Sequence, residues 1–542
     1  MSRQISITVN PEHGEPTVFH SSADSDMLSS VLAAHGFPLN TRCGQRGLCH
    51  GCEIVLEHGS LMIGDVEIPA PATVRACRAR LHCPVTVAIP TRSRIEHKPQ
   101  VGETFEIAVP CAHDPLFPVL GFRDTAFAVD IGTTTVVVLL VDLTNGNVLS
   151  RAGGFNAQIR FGDNVLTRID TARTPQAIAA MQQAVVGETL VPLLLQACER
   201  AERDLSRIAG GTIAGNTTML HLLVGEDPTS LGIAPFTAQF LAGKSLTAAE
   251  IHLTAEGLAP DTPLRLLPSI AGYIGADITA GVYATGMVYD AEPSLLVDIG
   301  TNGEIVLQNK GALTACATAA GPAFEGCGLR CGTRAREGAV SDLSITIDPF
   351  EICTQTIGKI PLARASGICG SAYIDFLATA RACGLLGYAG RFDSAVWATL
   401  PETSRLTDDG ELALSLAGPG SPRISEVDVA LLLQAKAAIG AGIKTLLETA
   451  GISASEISQV YLAGGFGMHL NIANAIAIGL LPGFTPEQVR VVGNTSLAGA
   501  LLALIDRTTL DEMEALRAQV EVIELNLAEG FEDRYVDHLM LP

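Results

Sequence analysis

The chain has 542 residues, 47% hydrophobic and 17% charged, with 57 Asp and Glu against 35 Lys and Arg for a net charge of −22. That length exceeds one ordinary domain, and the apolar share supports sizeable cores. The acidity and the single Trp exclude a nucleic-acid platform, which needs basic residues for phosphates and aromatic faces for bases. No apolar stretch reads as a membrane span and the first residues lack the apolar core of a secretory signal, so a cytoplasmic protein without membrane contact is expected.

The acidity is uneven. Residues 1–100 hold nine basic and nine acidic side chains, which marks an N-terminal module of separate character. Residues 5–9 and 17–20 alternate around Pro11-Glu12-His13-Gly14 as a hairpin, and Asp24 caps a short helix over 27–34, closed by Gly36. Cys43, Cys49 and Cys52 follow with C-x5-C-x2-C spacing, then a strand over 53–56, then Cys77, Cys83 and a last strand over 85–89. Gly44, Gly47 and Gly51 let the loop wrap closely, with amides free to point at sulfurs. Four thiolates, three of them from one tight loop, suit an iron–sulfur cluster. A zinc ribbon wants two separated C-x2-C pairs, and a set of structural cysteines is the plain alternative.

The order of these elements resembles plant-type and adrenodoxin-type 2Fe–2S ferredoxins, an α+β β-grasp fold. The last ligand of that family precedes the final strand, where Arg75-Ala76-Cys77-Arg78 stands. The resemblance therefore implies Cys77 as fourth ligand and leaves Cys83 an extra thiol. Arg42, Arg46, Arg75, Arg78 and Arg80 surround the cysteines, as a face for an acidic redox partner, as charges that raise the cluster potential by offsetting its negative charge, or as solvated side chains. Residues 91–123, punctuated by Pro99, Pro110, Pro115 and Pro118, read as a semi-stiff tether with a short strand over 104–109.

Beyond it, a strand over 127–130 enters Asp130-Ile131-Gly132-Thr133-Thr134-Thr135, and the apolar run 136–141 reads as a buried strand. A near copy, Asp298-Ile299-Gly300-Thr301-Asn302-Gly303-Glu304, follows a strand over 295–298. Amides and hydroxyls match phosphate oxygens and carboxylates match a metal, so two such loops can grip the two ends of a polyphosphate. Further strands run into Gly215-Asn216-Thr217-Thr218, Gly464-Gly465-Phe466-Gly467 and Gly493-Asn494-Thr495, the grammar of an α/β unit. Ser425 and Asp428 have capping-box spacing before a helix over 429–449. Thr485-Pro486-Glu487 opens another helix, and 389–424 reads as an exposed excursion. Gly243-Lys244-Ser245 lacks the leading Gly of a P-loop at position 238. Cys327, Cys331, His221 and His469 read as packing or loop residues.

The paired loops and the late Gly-Gly turn resemble the actin, sugar-kinase and heat-shock-chaperone ATPases, which implies two duplicated α/β lobes of sheet and helices. Carried across, Asp130 and Asp298 would coordinate Mg2+ through water. Gly132, Thr133, Thr134, Gly300, Thr301, Asn302 and Gly303 would hold the phosphates of ATP, and Gly464 and Gly465 would face the nucleoside. Joined to the cysteine module, the chain resembles the reductive activators of corrinoid enzymes. That match extends through Asp163-Asn164-Val165, Arg168-Ile169, Ala319-Ala320-Gly321-Pro322 and Gly367-Ile368-Cys369-Gly370-Ser371. It implies a 2Fe–2S domain over 1–90, a linker over 91–123, and ATPase lobes over 124–290 and 291–542. It further implies ATP-dependent return of a methyltransferase system's corrinoid (cobalamin) protein from Co(II) to Co(I), with electrons from a low-potential donor and a homodimer as the assembly. Two rivals remain: a small-molecule kinase with a redox-sensing module, and a non-catalytic nucleotide-dependent regulator. Activators of radical dehydratases resemble the same ATPase but lack the N-terminal module.

Overall fold

A computed structural model describes residues 4–11, 16–22, 27–39, 45, 47, 52–90, 93, 105, 107, 109 and 111–542, except 163, 301, 327, 334, 336, 409 and 419. The chain forms two compact units, residues 1–290 with 495–519, and residues 291–494 with 520–542.

In the first unit, strands β1 (Gln4–Pro11), β2 (Thr17–Ser22), β3 (Glu53–His58), β4 (Ser60–Ile63), β5 (Val66–Pro69), β6 (Ala72–Arg75), β7 (Ala79–Leu81) and β8 (Val85–Ile89) make two sheets. The larger has the order β2-β1-β8-β3-β6, with β1 and β8 parallel, and the smaller is β5-β4-β7. This is a β-grasp. Alternation builds it, since successive strand side chains face opposite sides. Ile5, Ile7, Val9, Val85, Val87 and Ile89 all point into one core with Leu28 and Leu32 of the helix Leu28–Ala34. That helix begins at Leu28, with Met27 at its N-cap and no side-chain cap. Asp24, the expected cap, lies outside the described residues, as do Cys43 and Cys49.

A third sheet of this unit comprises β9 (Thr125–Ile131), β10 (Thr135–Asp142), β11 (Val148–Phe155), β12 (Ile208–Gly215), β13 (Lys244–Thr247) and β14 (Pro263–Leu266), in the order β11-β10-β9-β12-β14-β13. The helix Thr495–Ile505 is buried along its whole length, as its unbroken apolar sequence requires. It comes so close to the helix Ala276–Ala284 that a Cβ on Gly499 would sit 2.4 Å from the Ala280 carbonyl oxygen. Thr212 Oγ1 donates to the Ala500 carbonyl at 2.8 Å.

The tether expected over 91–123 is corrected here. Phe105, Val109, Cys111 and Phe117 are buried in the core of this unit. The Asp114 and Leu116 amides donate to the Ile505 and Leu504 carbonyls at 3.0 and 2.9 Å. Prolines had suggested a spacer, but the apolar residues set between them find a surface to cover. Most of the short strand expected over 104–109 lies outside the described residues.

The second unit repeats the plan. Its strands are β15 (Ser294–Ile299), β16 (Gly303–Asn309), β17 (Ala312–Thr318), β18 (Ala339–Ile347), β19 (Phe350–Thr356), β20 (Gly367–Ile368), β21 (Arg405–Asp408), β22 (Glu411–Ser415), β23 (Arg423–Ser425), β24 (Gln459–Ala463), β25 (Val489–Gly493) and β26 (Glu521–Val522). The main sheet runs β25-β24-β15-β16-β17-β26. The antiparallel run β15-β16-β17 followed by parallel β24 and β25 matches β9-β10-β11 followed by β12 and β14. The duplication expected from two similar loops is thus a duplication of topology.

Two expectations for this unit are revised. The excursion over 389–424 is ordered: β21-β22-β23 form a sheet, and Phe392, Trp397, Leu414 and Ile424 join the core. Its glycines and prolines mark turns between short strands. Thr485 does form a capping box, with Gln488, but the turn Pro486–Gln488 is only three residues long and leads into β25. The Ser425–Asp428 capping box opens the helix Glu426–Thr449 as expected. That helix and the stretch Pro175–Arg200 are long and apolar enough to cross a bilayer, yet 78% and 56% of their most apolar windows are buried within the protein. They are core helices by packing.

Candidate functional site

The first Asp-Ile-Gly-Thr stretch is the turn of the β9–β10 hairpin. It is tight: the Gly132 amide donates to the Thr135 carbonyl at 2.9 Å, and a Cβ on Gly132 would lie 2.6 Å from that oxygen. Donors hold the loop from within the unit. Asn156 Nδ2 donates to the Gly132 carbonyl at 3.0 Å, and the Asn156 amide donates to the Thr134 carbonyl at 2.8 Å. The guanidinium of Arg168, fully buried, donates through Nη2 to the Thr133 carbonyl and through Nε to the Gly162 carbonyl at 2.9 Å. Asn216, N-cap of the helix Thr217–Val224, donates to Thr133 Oγ1 at 3.1 Å. Three consecutive carbonyls are therefore taken up by protein donors, with a buried cation behind them.

Asp130, at the end of β9, accepts a hydrogen bond from Ser496 Oγ at 2.7 Å. Arg151 on β11 also feels its charge: burial lowers the guanidinium's pKa, and Asp130 opposes that shift. Sequence reasoning missed both: Arg151 lies outside any glycine turn, and Ser496 directly follows the Gly493-Asn494-Thr495 turn without being part of the motif.

The second stretch is the turn of the β15–β16 hairpin, with the Gly300 amide donating to the Asn302 carbonyl at 2.9 Å. Thr318 Oγ1 donates to the Gly303 carbonyl at 3.1 Å. Thr301 lies outside the described residues. Asp298 is half-buried, and Gly464 meets it directly. A Cβ on Gly464, whose φ is +91°, would stand 2.7 Å from Asp298 Oδ1 and 2.6 Å from the Ile299 carbonyl oxygen. The Gly464 amide donates to the Gly493 carbonyl at 3.1 Å. Gly465 is exposed, with open space where a side chain would go. Phe466 stacks on Phe324 at 5.3 Å between ring centres. Within each unit the expected residues do converge: Asp130, Gly132, Thr133 and Thr134 on one turn, and Asp298, Gly300, Asn302, Gly303 and Gly464 around the other.

In the β-grasp, Cys52 and Cys77 are 0% and 1% exposed. The Ala76 amide donates to the Cys52 carbonyl at 3.0 Å, which sets the turn bearing Cys77 beside Cys52. Cys83 belongs elsewhere: its sulfur lies 3.4 Å from the amide and from the hydroxyl oxygen of Ser60 on the smaller sheet. Arg75 Nη1 donates to the Gly47 carbonyl at 2.6 Å, and a Cβ on Gly47 would strike the Arg78 side chain at 2.6 Å. Both arginines lie against Gly47, a role that none of their expected readings included. Among the decoys, His221 is a packing residue as expected. It stacks on Phe240, its Nδ1 lies 2.7 Å from the Thr217 carbonyl, and its Nε2 accepts from the Gln239 amide at 3.0 Å.

Comparison with known proteins gives a consistent result. Residues 292–542 match the family model described as the C-terminal domain of RACo, the ASKHA domain, and residues 125–290 match the RACo middle region. The chain is 32% identical over 589 aligned positions to the corrinoid activation enzyme RamQ of Eubacterium limosum, covering 96% of both chains. It is 28% identical to the [Co(II) methylated amine-specific corrinoid protein] reductase of Methanosarcina barkeri, over 76% of each. Among solved structures, a reductive activator for corrinoid, iron-sulfur protein superposes with a TM-score of 0.72 at 30% identity, covering 99% of this chain and 98% of the other.

Proposed function

Because the chain belongs to the family of reductive activators of corrinoid proteins, we propose that it returns an inactive Co(II) corrinoid protein of a methyltransferase system to Co(I) at the expense of ATP. The observation that carries this is the union, in one chain, of a buried thiol pair on a β-grasp with a phosphate loop whose carbonyls are drawn away from the ligand side. The net change is one electron from a low-potential donor to Co(II), giving Co(I), while ATP and water give ADP and phosphate.

The thiols fit a 2Fe–2S cluster. Cys52 and Cys77 are both buried, on backbone joined by the Ala76–Cys52 hydrogen bond, and Cys43 and Cys49, outside the described residues, would complete a four-thiolate set. The cluster, when bound, supplies single-electron transfer. Arg75 and Arg78 hold the loop that carries the ligands, and their charge offsets part of the cluster's.

On the ATPase side, Mg2+ would be held through water by Asp130 and Asp298. The phosphates would meet the turns at Gly132–Thr134 and Gly300–Gly303, and the nucleoside would meet Gly464 and Gly465. An anion at the first turn meets amides and hydroxyls, because Asn156 and Arg168 already occupy the carbonyls. The buried Arg168 adds a favourable field. Lifting an electron over a deficit of about 100 mV takes roughly 2.3 kcal/mol. A change of conformation that favours one partner state by a factor of about 50 supplies that much. ATP therefore need not touch the electron. It has only to favour a state whose cobalt accepts one.

The two halves are separable by mutation. Cys43→Ala should lose the visible 2Fe–2S spectrum and keep ATP binding, whereas Asp298→Ala should keep the spectrum and lose Mg2+-dependent ATP binding. Cys83→Ser should leave both intact. A Cys83→Ser protein without the cluster spectrum would reassign the fourth ligand, and an Asp298→Ala protein with undiminished Mg·ATP affinity would remove the nucleotide site from that turn.

A further inference from the structure

We propose that Ser496 is the positioning residue for Asp130, fixing the carboxylate that is to face the metal of the bound nucleotide; this rests on the nucleotide site proposed above. Ser496 is 366 residues away from Asp130 in sequence, 5% exposed, and donates its hydroxyl to Oδ1 at 2.7 Å. It lies in the first turn of the eleven-residue helix Thr495–Ile505. The partial positive charge of a helix N-terminus favours a carboxylate there. The bond from Ser496 to Oδ1 restricts the carboxylate to a preferred rotamer.

The site is built. The helix that bears Ser496 is locked by the close approach of Gly499 to Ala280 and by the bond from Thr212 to the Ala500 carbonyl. The neighbouring Thr495 hydroxyl is buried with no hydrogen-bond partner among the described residues, so polar capacity remains beside the carboxylate's donor.

The decisive experiment titrates Mg2+ against a fluorescent ADP analogue by equilibrium binding, using the full-length chain, and records the thermal midpoint of each variant. Ser496→Ala should bind the Mg2+-free analogue as the wild type does, yet need about tenfold more Mg2+ for half-maximal tight binding, the effect of losing about 1.4 kcal/mol. Ser496→Thr should restore the wild-type titration and Ser496→Val should not. These two have nearly equal volume and differ in the hydroxyl, so they keep the test valid even where the alanine variant folds poorly. Identical Mg2+ titrations for Thr and Val variants overturn the assignment. A wild-type chain that binds no nucleotide overturns the underlying site and this assignment with it.

Discussion

The two Asp-Ile-Gly-Thr turns share a backbone plan and differ in what stands behind them. The first is braced by Asn156, Asn216 and the fully buried Arg168, and its neighbouring strand brings Arg151 within reach of Asp130. The second is followed by Glu304, 8% exposed, whose charge joins burial in pushing the Cys316 thiol up. Its aspartate stands against Gly464, where a Cβ would come within 2.7 Å of Oδ1. Duplication therefore kept the hairpin and let the electrostatics diverge. One turn has a buried cation at its back, whereas a buried carboxylate follows the other.

The contrast can be broken most forcefully at Arg168. Its removal strands the Thr133 and Gly162 carbonyls and Gln158 Oε1, each a buried acceptor losing a charged donor. At about 1–3 kcal/mol per orphaned group, Arg168→Ala should destabilise the first unit by roughly 3–5 kcal/mol, read as a lower denaturation midpoint, and weaken nucleotide binding. A loss under about 1 kcal/mol would mean that the first turn stands without its cation.

A smaller and sharper comparison uses the matched glycines. Gly132→Ala would force a Cβ to within 2.6 Å of the Thr135 carbonyl oxygen, whereas at Gly300 the nearest atom, the Asn302 carbonyl oxygen, is 3.7 Å away. The first substitution should cost about 1–3 kcal/mol and reduce nucleotide affinity several-fold, while the second should change stability by less than about 0.5 kcal/mol. Equal effects in a melting assay would show that the two turns are interchangeable.

Much of this was legible in the sequence, because strand periodicity and glycine turns are local signals. Strand β8 lies where the alternation placed it, and the paired aspartates end paired strands. What escaped is non-local. The serine that bonds Asp130 lies 366 residues downstream, and although it directly follows the Gly493-Asn494-Thr495 turn, nothing in that turn points to Asp130. The segment 105–117 read as a spacer because its prolines are visible in sequence, whereas the core it covers is assembled from distant strands and the helix Thr495–Ile505. Arg75 and Arg78 read as surface charge because the close approach of Gly47 cannot be seen in a string of letters.

The central claim is that nucleotide chemistry and cysteine chemistry serve one uphill electron. Its most direct test is anaerobic. The reduced protein is mixed with a Co(II) corrinoid protein of a methyltransferase system, and the Co(I) absorption band is followed with ATP, without nucleotide, and with ATP plus the Cys43→Ala or Asp298→Ala chain. The band should grow over many turnovers only with ATP and the unaltered chain. Equal growth without nucleotide, or with the Cys43→Ala chain, would contradict the account.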